Sequence, residues 1–317
     1  MSDTNGKDIH RFSFSRLDTF KRCPRHHHYL YVEQLPDPGN EYVLKGKMFH
    51  ECVEAILKGE DPQPIYDLWH EYVDTGIIGA DRDQLEYSVG HYFEFRYKDY
   101  MQEDTIMVEE NFQFQLDEED YFVMQVDQVY RVNGILTVRD LKTTTGPLKY
   151  SYNDVKNNMQ LLTYVSEVEK RLGEQVDSIE IDEVRLAKLD TEVPCVSNHR
   201  PSTSLDALSL TTAELYRDEL ERQNLLNDPK YQNVLQKLEQ RGHPLFRRIK
   251  VQISNRNILE TNAEELQSLY VGAAIDLRYR IKDASGCWMC PYKDICEHDQ
   301  YKVDDVLREQ LIKKLMR

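Results

Sequence analysis

Asp127, Asp140 and Lys142 lie on two alternating runs, 121–131 (YFVMQVDQVYR) and 135–142 (ILTVRDLK), joined through Asn133-Gly134. Asn-Gly between alternating runs signals a two-residue type I′ hairpin. Such a turn pairs Val132 with Ile135, which sets Asp127 opposite Asp140 and Gln125 opposite Lys142. Side chains two apart share a face, so these four project together, with Val129 and Val138 beside them. Facing carboxylates lie about 5 Å apart and repel. Either a divalent cation neutralises them, Mg2+ or Mn2+ being suited to carboxylate oxygens, with Lys142 orienting a metal-bound water, or they face solvent with Lys142 as their ion-pair partner. The hairpin alone supports both readings.

Other residues could join this chemistry. His50 sits in GKMFHECVEAILK (46–58), whose Phe49, Val53, Ile56 and Leu57 mark a buried side; a lone histidine there reads first as a core residue. Gln160 and Tyr164 are one helical turn apart and share a face. Of six cysteines, Cys287, Cys290 and Cys296 fall within ten residues, a density that points to a metal or cluster site. Cys52 and Cys195 are expected to be buried thiols.

The elements that position these residues follow from periodicity. Ser15 with Asp18 at N3 predicts a helix start, with the helix running to about Tyr31 and stopped by Pro36 and Pro38. A helix is expected over 46–58, and 62–105 reads as helical, with Leu85, Val89, Tyr92 and Phe93 on one stripe. Strands are expected over 107–116, 121–131 and 135–142, a helix over 153–172, and a strand near 177–187. Residues 211–240 read as charged helices, 246–253 as a strand, 261–283 as a helix and 303–316 as an amphipathic tail helix. Residues 190–210 are expected to form a mobile loop. Helices, an antiparallel meander, a helix, a strand and helices predict an α/β fold with a mixed central sheet, organised as one domain over 1–317.

The 317 residues, 40% hydrophobic and 30% charged, describe a globular chain. The opening residues MSDTNGKDIHRF have no apolar core of a secretory signal, and no apolar run is long enough to span a bilayer, so a cytoplasmic location and no membrane partner are expected. The net charge of -16 argues against a uniformly basic nucleic-acid surface. The two basic clusters, KRCPRHHH at 21–28 and FRRIK at 246–250, each read alone as solvated faces.

Taken in order, the motifs resemble the RecB-like branch of the PD-(D/E)XK nucleases over about residues 20–300. Gly46…His50 resembles the helical histidine motif, Val126-Asp127 the first strand aspartate, Asp140-Leu141-Lys142 the acid-x-lysine signature, and the run from Gln160 to Tyr164 (QLLTY) the Q-x-x-x-Y motif. Cys287, Cys290 and Cys296 in a C-x2-C-x5-C pattern, with Cys23 far upstream, are similar to the iron–sulfur members, the AddB-type subunit and the CRISPR-associated RecB-like exonuclease.

The resemblance implies a restriction-endonuclease-like sheet flanked by helices, with helical insertions at about 62–105 and 200–245. It implies a 4Fe–4S clasp through Cys23, Cys287, Cys290 and Cys296, with zinc the competing occupant. By the same resemblance His50, Asp127, Asp140 and the Leu141 carbonyl hold Mg2+ or Mn2+, Lys142 positions water, Gln160 orients a ligand or phosphate, Tyr164 lines the DNA path, and Glu110 is an accessory acid. The function implied is a metal-dependent DNA nuclease, an exonuclease on ends or single strands of the kind used in DNA repair. A helicase, recombination or CRISPR adaptation component is the kind of protein partner expected. The alternatives are a non-catalytic DNA-binding or assembly subunit of the same fold, and a zinc-stabilised interaction protein.

Overall fold

The computed structural model describes residues 10–37, 39–196, 199–274, 287, 290–301 and 305–315. β1 (Arg11–Phe12) leads into α1 (Phe14–Arg22), α2 (Pro24–His27) and one π turn (His28–Val32). Next come α3 (Glu41–Leu57), α4 (Gln63–Asp74) and α5 (Gln84–Tyr100), then the meander β2 (Asp104–Gln115), β3 (Tyr121–Val132) and β4 (Ile135–Thr144). α6 (Tyr152–Lys156) and α7 (Met159–Leu172) cross over to β5 (Ser178–Arg185), and α8 (Ala213–Arg222) and α9 (Pro229–Arg241) precede β6 (Phe246–Gln252). α10 (Asn257–Ala274), α11 (Lys293–Tyr301) and α12 (Asp305–Leu315) follow.

Several boundaries differ from the sequence expectation for local reasons. Ser13, not Ser15, caps α1, its Oγ accepting from Arg16 N at 3.3 Å. The expected 15–31 helix breaks at Cys23, which is extended, and restarts at Pro24, a residue suited to a first helical turn. The 153–172 helix is two helices because Asn158 turns extended and caps α7 through Leu161 N. Residues 190–210 are not a free loop where described. Val193 and Leu208 are buried in a core shared with Tyr216, Leu220 and Leu238 of α8 and α9, and Tyr216 donates its hydroxyl to Ser202 O at 2.9 Å. The expected 261–283 helix is described only as far as Ala274; the rest lies outside the described residues.

The sheet has six strands in the order β1-β3-β4-β5-β6, with β2 on the other edge of β3. β2, β3 and β4 are antiparallel, β4 and β5 parallel, and β5 and β6 antiparallel. This is the mixed sheet the residue pattern predicts. Asn133 and Gly134 have φ of 51° and 81°, the two positive values a type I′ turn requires, and Val132 pairs with Ile135.

Helices cover both faces. On one, α7 and α10 pack Leu161, Val165, Leu266 and Tyr270 against Phe122, Val138 and Ile181. On the other, α3, α4 and α5 pack Phe49, Val53, Trp69, Val89 and Tyr92 against Leu141, Val184 and Phe246. Among the described residues no helix is long and apolar enough to cross a membrane.

Beneath α5 the sheet carries a polar row, buried at Gln128, Arg139 and Glu180 and exposed at Lys250. Gln128, Arg139, Glu180 and Lys250 stand side by side on β3, β4, β5 and β6, and Asp182 stands beside Arg248. Arg139 donates to Glu180 at 2.5 Å, to Gln128 at 2.6 Å and to both oxygens of Glu103. Asp182 accepts from Arg96 at 2.5 Å and Arg248 at 2.8 Å. Arg248 is therefore spent internally, and Arg247 donates to Tyr150 O. Of the 246–250 cluster, Arg247 and Arg248 are tied into the fold, while Lys250 stays exposed as its composition suggests.

Candidate active site

The β3–β4 ladder ends one pair short of the carboxylates, at Gln128–Arg139. β4 pairs with β5 on its other edge from Thr137 to Thr144, and β1 takes the start of the same β3 edge at Tyr121–Phe122. Asp127 and Asp140 are therefore neighbours without being a ladder pair, as the hairpin register extrapolated to them would require. Asp127 Oδ2 instead accepts the Leu141 N–H at 2.7 Å, across the point where the strands part. Gln125 does not face Lys142; it is exposed and donates to Glu109 O at 3.3 Å.

Asp140 is 1% exposed. Its Oδ1 accepts from Lys142 Nζ at 3.1 Å. Its Oδ2 lies 2.8 Å from the same Nζ, but the angle makes no hydrogen bond and that buried oxygen has no hydrogen-bond partner. Burial pushes the Asp140 carboxyl up to about 6 despite Lys142, and Asp127 adds to the rise. Burial likewise raises Asp127, against the pull of His50. Burial alone would lower Lys142, but Asp140 and Asp127 outweigh it and hold the ammonium charged.

Lys142 Nζ also donates to Gln160 Oε1 at 2.8 Å, and the Gln160 amide donates to the Tyr164 hydroxyl. The two polar residues that share a turn of α7 thus form a chain that ends on Lys142, with Tyr164 buried beside Phe14.

His50 reaches the carboxylates from the opposite layer. Gly46 lies one turn earlier on the same face of α3, where the helix meets β4; a Cβ there would stand 2.5 Å from Thr143 Oγ1. That close approach brings His50 Nδ1 to 3.8 Å from Asp127 Oδ2. His50 is thus part of the polar cluster and not the core histidine that its position alone suggests. Burial lowers its imidazole, but Glu109 and Asp127 outweigh that and raise it.

One acidic residue at the cluster was not foreseen. Glu109 Oε1 lies 3.9 Å from His50 Nδ1, and the ligand atoms of His50, Glu109 and Asp127 all fall within 4.8 Å of one another. The expected accessory acid, Glu110, points elsewhere and meets Arg171 at 3.3 Å, half-exposed. The one-residue error comes from β2 itself. Its register shifts between Thr105 and Met107, and Glu109 adopts a φ of 51°. Simple alternation from the sequence predicts neither break.

The four clustered cysteines gather at a separate place, where the chain's two ends meet. Burial raises the Cys290 thiol, and Cys23, Cys287 and Cys296 raise it further as close neighbours. Arg25 Nη1 donates to Cys296 Sγ at 3.1 Å, and His26 Nδ1 lies 3.9 Å from Cys290 Sγ. Tyr29, Leu30, Leu35, Tyr292 and Ile295 pack around them. Cys52 is buried as expected, but Cys195 is exposed, its Sγ 3.3 Å from Val193 O, because it lies on the outer side of the 190–210 segment.

A buried, partly unpartnered carboxylate, a second carboxylate, an imidazole and a lysine together suit a divalent cation and a water held close to it. A family model described as the PD-(D/E)XK nuclease superfamily matches residues 11–297. No curated protein matches the chain.

Proposed function

The chain belongs to the PD-(D/E)XK nuclease superfamily, whose members are metal-dependent nucleases, and we propose that it is a RecB-like, iron–sulfur DNA nuclease acting on DNA ends or single strands. The observation that carries the reading is Asp140, fully buried with one oxygen left without a hydrogen bond, beside Asp127, His50 and the Lys142–Gln160–Tyr164 chain. An unneutralised carboxylate pair in that position costs stability, and a cation removes the cost.

His50, Asp127, Asp140 and the Leu141 carbonyl would hold Mg2+ or Mn2+. Bound there, the ion supplies Lewis acidity at the phosphate and a water of lowered pKa. Lys142, already charged, holds the attacking oxygen and stabilises the charge that grows on the phosphate. Gln160 fixes the Lys142 ammonium and Tyr164 fixes Gln160, so the lysine keeps one direction through the reaction. An open cleft of about 490 Å³ at Tyr150 offers the amides of Asn153, Asn157 and Asn158 to a single strand's backbone; its wall also carries Asp154 and Glu265, the latter pairing Lys21 at 3.7 Å.

Cys23, Cys287, Cys290 and Cys296 would hold a 4Fe–4S cluster. They fit it in chemistry: four neighbouring thiols, one already accepting an N–H bond from Arg25, a contact that tunes cluster sulfurs. The cluster is read as a structural clasp between the two ends of the chain.

Cleavage of end-labelled single-stranded DNA with Mn2+, comparing wild type with Asp140→Asn and Lys142→Met, tests the enzyme. Equal activity in all three would leave the non-catalytic DNA-binding or assembly subunit, which the net acidity favours. A brown preparation absorbing near about 400 nm supports the cluster; a colourless, zinc-containing one overturns it.

A further inference from the structure

We propose that Glu109 is a metal ligand, completing a His50–Glu109–Asp127 set on the α3 side of the site. This rests on the metal-dependent reading above and adds to it a residue that the motif pattern does not contain.

Four observations converge on Glu109. First, its backbone is left-handed in the middle of a strand, at φ 51°. For a residue with a Cβ that conformation is disfavoured, and such strain collects at functional sites. The ladder pairs Val108 with Gln128 and Glu110 with Val126 on either side of it, so the kink stands where β2 passes Asp127.

Second, the kink separates two adjacent acids. Glu110 reaches solvent and Arg171, whereas the Glu109 side chain is 10% exposed. Among the described residues its carboxylate has no basic partner closer than the His50 ring at 3.9 Å.

Third, a cavity of about 10 Å³ opens between Glu109, Asp127, Leu57 and Leu141, room for one water-sized guest. Glu54, Gln128 and Arg139 also stand in its wall, so it suits a polar, water-sized guest.

Fourth, Asp140 stands beside this set with a fully buried oxygen that no hydrogen bond satisfies. Three carboxylates and one imidazole here face one ammonium, Lys142, which bonds Asp140. The His50, Glu109 and Asp127 atoms lie within 4.8 Å of one another, close to the span of about 4.2 Å that an octahedral ion with ligands at about 2.1 Å can bridge. Only one pair can lie across the ion, the others standing about 3.0 Å apart, so His50, now 3.8 Å from Asp127 and 3.9 Å from Glu109, must close by just under about 1 Å for the three to share it.

The test is a titration of the metal-free, full-length protein with Mn2+ alone, free Mn2+ being read by electron paramagnetic resonance, so that no cleavage is needed. Glu109→Gln should weaken binding about 10–100-fold, at least what loss of an outer-sphere partner costs, and Glu110→Gln should leave it unchanged. Glu109→Asp, which keeps the charge and shortens the reach, should fall between, and it decides the matter if Glu109→Gln fails to fold. Glu109→Gln or Glu109→Asp binding like wild type, while Asp127→Asn loses the ion, would remove Glu109 from the site and leave the nuclease reading standing. Wild type that binds no Mn2+ would remove both.

Discussion

Gly46→Ala is expected to cut DNA cleavage about a hundredfold without unfolding the protein. The added Cβ would stand 2.5 Å from Thr143 Oγ1, and ordinary contact begins at 3.4 Å, so α3 must back away from β4 by about 0.9 Å unless Thr143 yields. His50 rides one turn further along the same helix, with Nδ1 already 3.8 Å from Asp127 Oδ2. Ligands at about 2.1 Å can be no more than about 4.2 Å apart across one ion, so most of that retreat lies beyond what a shared cation tolerates. The fold should survive it. Alanine for glycine inside a helix gains up to about 1 kcal/mol, against about 1–3 kcal/mol for overpacking.

The assay is cleavage of end-labelled DNA with Mn2+, alongside thermal melting of the same preparations. Gly46→Ala/Thr143→Ala removes the obstructing hydroxyl and should restore most of the activity. Full activity in Gly46→Ala, or a double variant no better than the single one, would show that this contact does not place His50.

Lys142→Met should lower cleavage by about 10²–10⁴-fold, the usual worth of a positioned proton-handling group; a loss under tenfold would take Lys142 out of the chemistry. Mn2+ should raise the melting temperature of the metal-free protein by several degrees, since saturation at a hundred times Kd contributes about 2.7 kcal/mol; an equal rise in Asp127→Asn would place the ion elsewhere. Asp182→Asn should cost about 3–5 kcal/mol in urea unfolding at pH 7, because it takes the close carboxylate from buried Arg96, while Arg248 keeps Asp99, Glu103 and Glu180. Burial would raise Asp182, but Arg248 and Arg96 outweigh it and hold the carboxyl below its usual range. Its stabilisation is therefore present above about pH 4 and is lost only as pH falls through the depressed value, so the gap between wild type and variant should narrow as pH drops below about 4; a gap that does not shrink with acid would contradict the ion-pair account. Leu220→Ala, in the small core of α8 and α9, should cost about 2–5 kcal/mol, and a null result in the same unfolding experiment would show that core to be loosely held.

The chemistry-bearing hairpin was legible because its signals are local. Asn133-Gly134 fixes the turn, and alternation fixes which residues follow it, as far as Gln128 and Arg139. Beyond that pair the extrapolation fails, since the β3–β4 ladder stops there and Asp127 accepts the Leu141 N–H instead, a parting of the strands that alternation does not encode. Glu109 was missed for a related reason: a shifted register and a left-handed residue reverse the phase of a strand without changing its composition. His50 could be placed on a helix but not in the site, because its approach depends on Gly46 lying flat against Thr143. The segment 190–210 looked free because Val193 and Leu208, which anchor it, find their partners in helices that come later in the chain. The run at 246–250 looked solvated because nothing local reveals that Arg248 meets Asp182 inside the sheet.

The polar row under α5 bears on folding fidelity. Gln128, Arg139, Glu180 and Lys250 stand in line across four strands, and Arg139 immediately precedes Asp140. A slip of β4 by one residue exchanges its two faces. Arg139 would then enter the apolar layer beneath α7, unpaired, while Asp140 would face Glu180, acid against acid. A one-residue slip is thus penalised on both sides at once, and a merely apolar row could not discriminate in this way. Asp140 thus reaches its place partly through its neighbour on the far face, whose ion pairs admit one alignment of β4 and reject the next.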